Sequence, residues 1–278
     1  MKILAIGDFH GSFPDKLKKE AVKSDVIISA GDFANADKIR KIIFKQWAGK
    51  RWYEAISLKE AAKLEKESYD SGLNIIRELG KIGKKVYFVW GNTDFHEDYV
   101  SSEPDEIMPG FYNPKVRKMK NMIVVDRRKT RLKDLEIIGH GGYVDVTEFI
   151  KHPIDKEKEK QKKRLKRYKD TEKELYTLFR KKKPKNFIFL THYTPLNCLD
   201  KVKFKGSPMN GKNVGFEPYN NVIKKYKPLI VICGHMHENQ GKCKIGRTIV
   251  VNPGEAHKGQ AAIIEINDKK IESIKFIK

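Results

Sequence analysis

The side chains that could do chemistry sit at the ends of short apolar runs. Asp8 and His10 follow Ile3-Leu-Ala-Ile6 and Gly7. On an extended backbone, residues i and i+2 point the same way, so this carboxylate and imidazole converge on one ion. A mixed oxygen and nitrogen donor set suits Mn, Fe, Zn, Co or Ni rather than Ca. The design recurs down the chain. Asp32 follows the run 26–30 and Gly31, and Asn92 and Asp94 follow 85–90 and Gly91. His192 follows 187–190, and His235 and His237 follow 228–233 and Gly234. Chance would scatter such residues along helices as often as it placed them at run ends, so one shared site is expected.

The elements that must position these groups are legible from the same runs. Unbroken apolar stretches of this length suit strands buried on both faces of a sheet. In open α/β sheets, ligands bind beyond the carboxyl ends of such strands. Further strands are expected at 123–125, 135–138 and 248–251, and a closing β-hairpin at 261–277 turns at Asn267-Asp268. Residues 12–24 read as a helix. A helical insertion at 36–80 carries Ile39, Ile42 and Ile43 on one face, then a capping box Ser57-x-x-Glu60 ahead of Leu73, Ile76 and Leu79 at helical spacing. Trp47 and Trp52 are expected to pack between its helices. Residues 197–217, rich in Gly, Asn, Lys and Pro, read as a loop over the site.

Composition bounds the partners. The 278 residues carry 58 Lys or Arg against 36 Asp or Glu, a formal charge of +22. A field of that size attracts polyanions; an ion-pair network over the surface would use the same residues. A basic helical segment at 151–185 concentrates sixteen cations against six acids, with Leu165, Tyr168, Leu175, Leu178 and Phe179 as its apolar stripe. It is a candidate nucleic-acid surface. The three cysteines form no Cys-x-x-Cys, which argues for a reducing, cytoplasmic setting and against thiolate zinc. No stretch approaches the ~20 apolar residues of a membrane span.

The ordered set Gly7-Asp8-x-His10, Gly31-Asp32-x-x-Asn35, Gly91-Asn92-x-Asp94, Thr191-His192 and Gly234-His235-x-His237 resembles the calcineurin-like metallophosphoesterase superfamily. Asn252-Pro-Gly254 is similar to a turn that follows the last block in many members. The resemblance implies an α/β (α+β) fold, a four-layer β-sandwich of two mixed sheets flanked by helices, within one domain over 1–278. It also implies two divalent metal ions, Mn favoured. Asp8, His10, Asp32 and His237 would hold one, and Asp32, Asn92, His192 and His235 the other. The implied activity is hydrolysis of a P–O bond by a hydroxide held between metals ~3.5–4 Å apart.

One position departs from the pattern: Thr93 stands where many members have a histidine assigned to the leaving group or the transition state. His96, His140 and His257 are the candidate replacements, and His140, at a run end like the ligands, is preferred. Asn92, Asp94 and His140 are therefore the candidate catalytic side chains, and His152 is given no role. The expected function is a phosphoesterase acting on a phosphoester substrate, a diester by preference. The alternatives are a nuclease using the basic segment and a non-catalytic scaffold on the same fold.

Overall fold

A computed structural model gives the fold; it describes residues 1–45, 51–97, 104–152 and 157–278. The apolar runs become the central strands of two sheets. The first sheet holds β1 (Lys2–Ile6), β2 (Val26–Ser29), β3 (Lys85–Phe88) and β4 (Met122–Val124) in parallel. The second holds β5 (Lys129–Leu132), β6 (Leu135–His140), β7 (Phe187–Thr191), β8 (Ile230–Ile232), β9 (Gly241–Ile245) and β10 (Thr248–Asn252). β11 (Ala261–Asn267) and β12 (Lys270–Ile277) return to the first as the expected hairpin. The orders are β12-β11-β1-β2-β3-β4 and β5-β6-β7-β8-β10-β9. Both sheets are mixed: β11, β12, β5 and β9 run antiparallel to their neighbours.

Strand alternation sends side chains to two different interiors. Ile3, Ala5, Val26, Ile28, Ile188, Leu190, Ile230 and Ile232 fill the space between the sheets. The opposite face of the first sheet, with Leu4, Ile6 and Ile27, packs on α1 (Asp15–Lys23) and α3 (Leu58–Lys81). α2 (Asp37–Lys45) precedes α3. Two short helices follow β3 and β6, α4 (Asn113–Val116) and α5 (Thr147–Lys151). The outer face of the second sheet, with Ile138, Phe189 and Val231, packs on α6 (Lys158–Lys182) and α7 (Glu217–Tyr226). The result is helix, sheet, sheet, helix, the four layers expected.

Several expectations change in detail. The Ser57 side chain caps α3 by accepting from the Glu60 N–H at 3.2 Å. Trp52 is buried with Ile39, Ala61 and Ile107, as expected of a packing residue; Trp47 lies outside the described residues. The helical insertion is less of an appendage than its sequence suggests, because α3 buries Leu73, Ile76 and Leu79 in the main core. The basic segment is not one helix over 151–185: α5 ends at Lys151 and α6 begins at Lys158. The residue before a proline disfavours the helical region, and His152, ahead of Pro153, takes φ −125 and ψ 66. Strands β5 and β9 escaped the sequence reading because KTRL and GKCKI are polar edge strands.

The cysteines add a pairing that their spacing did not signal. Cys198 and Cys243 form a disulfide with Cα atoms 6.0 Å apart, and Cys233 is the free, buried thiol. A sequence separation of 45 conceals the pair, and the cysteines no longer argue for a reducing compartment.

Candidate metal centre

The carboxyl ends of β1, β2, β3, β7 and β8 meet along one rim. Backbone hydrogen bonds lock the turns together there: Asp8 N–H donates to Gly31 O at 2.9 Å, Phe9 N–H to Asp32 O at 2.8 Å, and Gly234 N–H to His192 O at 2.8 Å. The fit is too close for a side chain at position 91, where a Cβ would strike the carboxylate and backbone of Asp32. Asp8 (φ 53), His10 (φ 43), Asp32 (φ 57) and His235 (φ 66) all occupy the left-handed region. Non-glycine residues visit that region rarely and at a cost, and such strain gathers at functional sites. That four of the seven candidate ligands share it marks the rim as selected for side-chain placement rather than for stability.

Two nests of donor atoms result. In the first, the ligand atoms of Asp8, His10, Asp32 and His237 all lie within 4.8 Å of one another. His10 Nε2 and His237 Nε2 are 3.0 Å apart, and His237 Nε2 is 3.5 Å from Asp8 Oδ1. In the second, Asn92 Oδ1 lies 2.8 Å from His192 Nε2 and 2.7 Å from His235 Nδ1. Those two nitrogens are 3.2 Å apart, and His192 Nε2 is 3.6 Å from Asp32 Oδ1. Asp32 stands in both nests.

The chemistry of these atoms calls for cations. His192 Nδ1 lies 2.8 Å from the Ala30 carbonyl, which must accept its proton. Nε2 then carries a lone pair. That lone pair faces Asn92 Oδ1, itself an acceptor. Asp32 Oδ2 is buried with no hydrogen-bond partner. The orphaned Asp32 Oδ2, beside imidazole and amide donors gathered this closely, fits a site for divalent cations.

The electrostatics of His235, His10, Asp32 and Asp8 agree with ligand duty, while those of His237 favour its protonated form until a cation displaces the proton. Burial pushes His235 down to about 3 and His10 down to about 4, the latter against the charge of Asp32, so both imidazoles are neutral and able to coordinate. Burial alone would raise Asp32, but His192, His10 and the Thr93 N–H hold it below its ordinary value. Burial likewise opposes ionisation of Asp8, and His237 outweighs it. His237 is the converse: burial lowers it, Asp8 more than offsets this, and the net shift is upward.

The remaining candidates fall elsewhere. Asp94 turns its carboxylate away from the nests and onto the backbone. It accepts N–H groups from Gly91 at 2.7 Å, Asp32 at 2.9 Å, Phe33 at 2.7 Å and Ala34 at 3.4 Å. It is a staple between two ligand-bearing turns, which replaces the catalytic role expected of it. Thr93 supports the Asp32 carboxylate instead, its N–H donating to Asp32 Oδ1 at 3.0 Å.

His140 is not brought to the rim. It shares a face of β6 with Ile138, the face that packs on the helices, and its Nδ1 is 2.8 Å from the Tyr219 hydroxyl on α7. Burial pushes it down to about 4. A group neutral above that value and turned to the helix layer does not protonate a leaving group at the rim. His96 is buried and stacked on Trp90 at 5.9 Å. His152 pairs with Glu148 at 3.2 Å. Of the three replacements, His257 alone stands beside the ligands. Its ring is 5.3 Å from that of His10, its Nδ1 3.3 Å from Asp8 O and its Nε2 3.3 Å from Glu255. Sequence reasoning missed Glu255, which also faces His237 Nδ1 at 3.8 Å; its place in Asn252-Pro-Gly-Glu255 was the available signal.

Two sheets meeting at a rim that gathers carboxylate, imidazole and amide donors present a candidate divalent metal site. Residues 1–276 match the family "Metallophosphoesterase, calcineurin superfamily", and the chain belongs to it. An uncharacterized protein of Methanocaldococcus jannaschii, MJ1162, is 24% identical over 259 residues, covering 91% of this chain and 88% of that one. A dimetal phosphatase from Danio rerio superposes with a TM-score of 0.56 at 11% identity, over 100% of this chain and 96% of that one. TT1561 of Thermus thermophilus superposes at 0.51 with 18% identity, over 99% and 97%. At these identities the solved structures speak to the fold.

Proposed function

We propose that the chain is a phosphodiester hydrolase that works with two divalent ions, Mn foremost. Asp8, His10 and His237 would hold one ion and Asn92, His192 and His235 the other, with Asp32 available to both. The observation that carries this reading is the shared position of Asp32, whose Oδ2 is orphaned and whose Oδ1 faces His192. Bound ions would supply Lewis acidity toward the phosphoryl oxygens and a nucleophile from water at neutral pH.

The chain's own residues do the positioning. The neutral Asn92 limits negative charge at the second position, Asp94 fixes the turns, and the Glu255 carboxylate stands 3.8 Å behind His237 as a charged neighbour. The leaning toward a diester comes from Thr93, which offers no acid for a poor leaving group near neutral pH.

A second reading, action on nucleic acid, has one observation in its favour. Arg164 and Arg167 of α6 pair with buried Asp145 at 3.3 and 2.7 Å. Arg167 lies over Tyr143, Tyr143 meets Tyr193, and Tyr193 stacks on His235 with centroids 3.9 Å apart. That chain of contacts moors the basic helix beside the second nest. Binding of an oligonucleotide that is independent of salt would remove this reading.

The test of the main reading is to load the protein with Mn and measure metal content and the hydrolysis of bis(p-nitrophenyl) phosphate and p-nitrophenyl phosphate. The expected result is about two ions per chain, faster turnover of the diester, and loss of both metal and activity in Asp32→Ala. Unchanged hydrolysis in that variant would sink the assignment.

A further inference from the structure

The solvent face of α6 carries a charge that the metal centre does not use. Lys162, Lys166, Lys169, Lys173 and Arg180 are all exposed. At ~100° per residue they fall within about 60° of arc, in one stripe ~27 Å long. The apolar side of the helix, with Leu175, Leu178 and Phe179, faces the other way, into the core of the second sheet. Lys166 pairs with Asp170 at 2.8 Å. Lys162, Lys169, Lys173 and Arg180 have no ion pair among the described residues. Like charges three or four residues apart destabilise a helix, and Lys162, Lys166, Lys169 and Lys173 follow one another at those spacings. A surface made only of ion-pair networks would alternate signs along this line. A row of uncompensated cations is instead the pattern of a face that meets negative charge from outside.

Two features join this stripe to the rest of the molecule. Toward its carboxyl end a recess of about 430 Å³ opens between α6 and Arg127, lined by Lys173, Lys181 and Lys182 and by the acids Asp170 and Glu174. Both acids are already engaged, Glu174 by Arg127 and Asp170 by Lys166. The three lysines therefore line the recess with no acid partner among the described residues. At its other end α6 is moored to the metal rim. Arg164 and Arg167 pair with Asp145, and Arg167 leads through Tyr143 and Tyr193 to His235.

We propose that the stripe and its recess bind the phosphate backbone of a nucleic-acid duplex, whatever its sequence. A length of ~27 Å spans about eight steps of one strand at ~3.4 Å each. Single-strand binders add aromatic platforms on which bases stack. The ring on this stripe, Tyr176, is held at its hydroxyl, which donates to Glu172 and accepts from Asn221, both at 3.0 Å. A duplex keeps its bases inside and needs no such platform. A membrane-surface helix needs an apolar face to bury in lipid, and that of α6 is already spent on the core. The inference rests on the nucleic-acid reading above and names the surface and the form of that partner.

The experiment is fluorescence anisotropy of the Mn-loaded full chain with a labelled DNA duplex of about 20 base pairs, its linkages phosphorothioate to resist cleavage. Contacts from the four unpaired cations predict a slope of log affinity against log salt of about −3.6, or binding on the order of a hundredfold weaker at ~200 mM than at ~50 mM salt. The triple variant Lys162→Gln, Lys169→Gln, Lys173→Gln should reduce that slope by ~0.9 per cation. The control Lys269→Gln, Lys270→Gln, Lys275→Gln removes the same charge from the β11–β12 hairpin of the other sheet and should keep the wild-type slope. A single strand of the same length should bind less tightly than the duplex. Both variants should keep the wild-type melting temperature, because every replaced side chain is exposed. An unchanged slope in the stripe variant, an equal fall in the control, tighter binding of the single strand, or binding to phosphatidylserine vesicles without binding to the duplex would each overturn the proposal. The hydrolysis assay stands apart from it: a protein that cleaves the p-nitrophenyl esters yet does not bind the duplex rejects this inference alone.

Discussion

Replacing Asp94 with Asn tests whether that residue is a staple or a catalyst. Its Oδ2 accepts the N–H groups of Gly91 and Asp32, and its Oδ1 those of Phe33 and Ala34. Burial and the charge of Asp32 raise its pKa, while the N–H donors favour the ionised form. An asparagine keeps one acceptor and turns an NH₂ group onto the other two donors. At pH 9, above the value of about 7 to which burial raises Asp94, the group is ionised; hydrogen bonds to a charged group are worth ~1.5–3 kcal/mol each, so losing two costs about 3–6 kcal/mol. At roughly 2 °C per kcal/mol for a chain of this size, the metal-free protein should melt about 6–12 °C lower. Because the staple joins the turns of Asp32 and Asn92, Mn affinity should fall as well. Differential scanning calorimetry with metal titration reads both. An Asp94→Asn protein with the wild-type melting temperature and Mn affinity, but a reduced kcat, would refute the staple and return Asp94 to the chemistry.

Two further outcomes follow from buried groups. His140 titrates at about 4 when folded against an ordinary value of 6.5, because burial disfavours its charged form. Its contribution to stability is present above pH ~6.5 and is lost as the pH falls toward 4, because the unfolded chain takes up the proton first; the full shift is worth on the order of 3 kcal/mol. Urea melts of metal-free wild type and His140→Gln should therefore converge as the pH drops from 7 to 4, and a pH-independent difference would refute the burial account. The Cys198–Cys243 bond closes a loop of 45 residues, which the chain-entropy argument values at up to about 4 kcal/mol. Reductant should lower the melting temperature of the wild type and leave Cys198→Ser unaffected; equal melting of the wild type with and without reductant would show that the bond does not stabilise the fold.

The sequence by itself determined the central strands and the places where their turns carry donors. An unbroken apolar run such as 3–6 must be buried on both faces, and a glycine and an acid after it must lie at the strand's end. That local rule extends to 26–30, 85–90, 187–190 and 228–233, and it was enough to bring seven donors to one rim. It failed where burial is decided by distant partners. His140 ends a run much as His192 does, yet strand alternation turns it to the helix layer and Tyr219. Asp94 sits two residues from Asn92, but four backbone donors from two separate turns claim its carboxylate. The polar strands β5 and β9 owe their state to pairing with β6 and β10, which no local pattern encodes. The union of Cys198 with Cys243 and the approach of His257 and Glu255 to His10 and His237 join segments far apart in the chain. Only closure of the two sheets brings such segments within reach, so only the tertiary structure decided them.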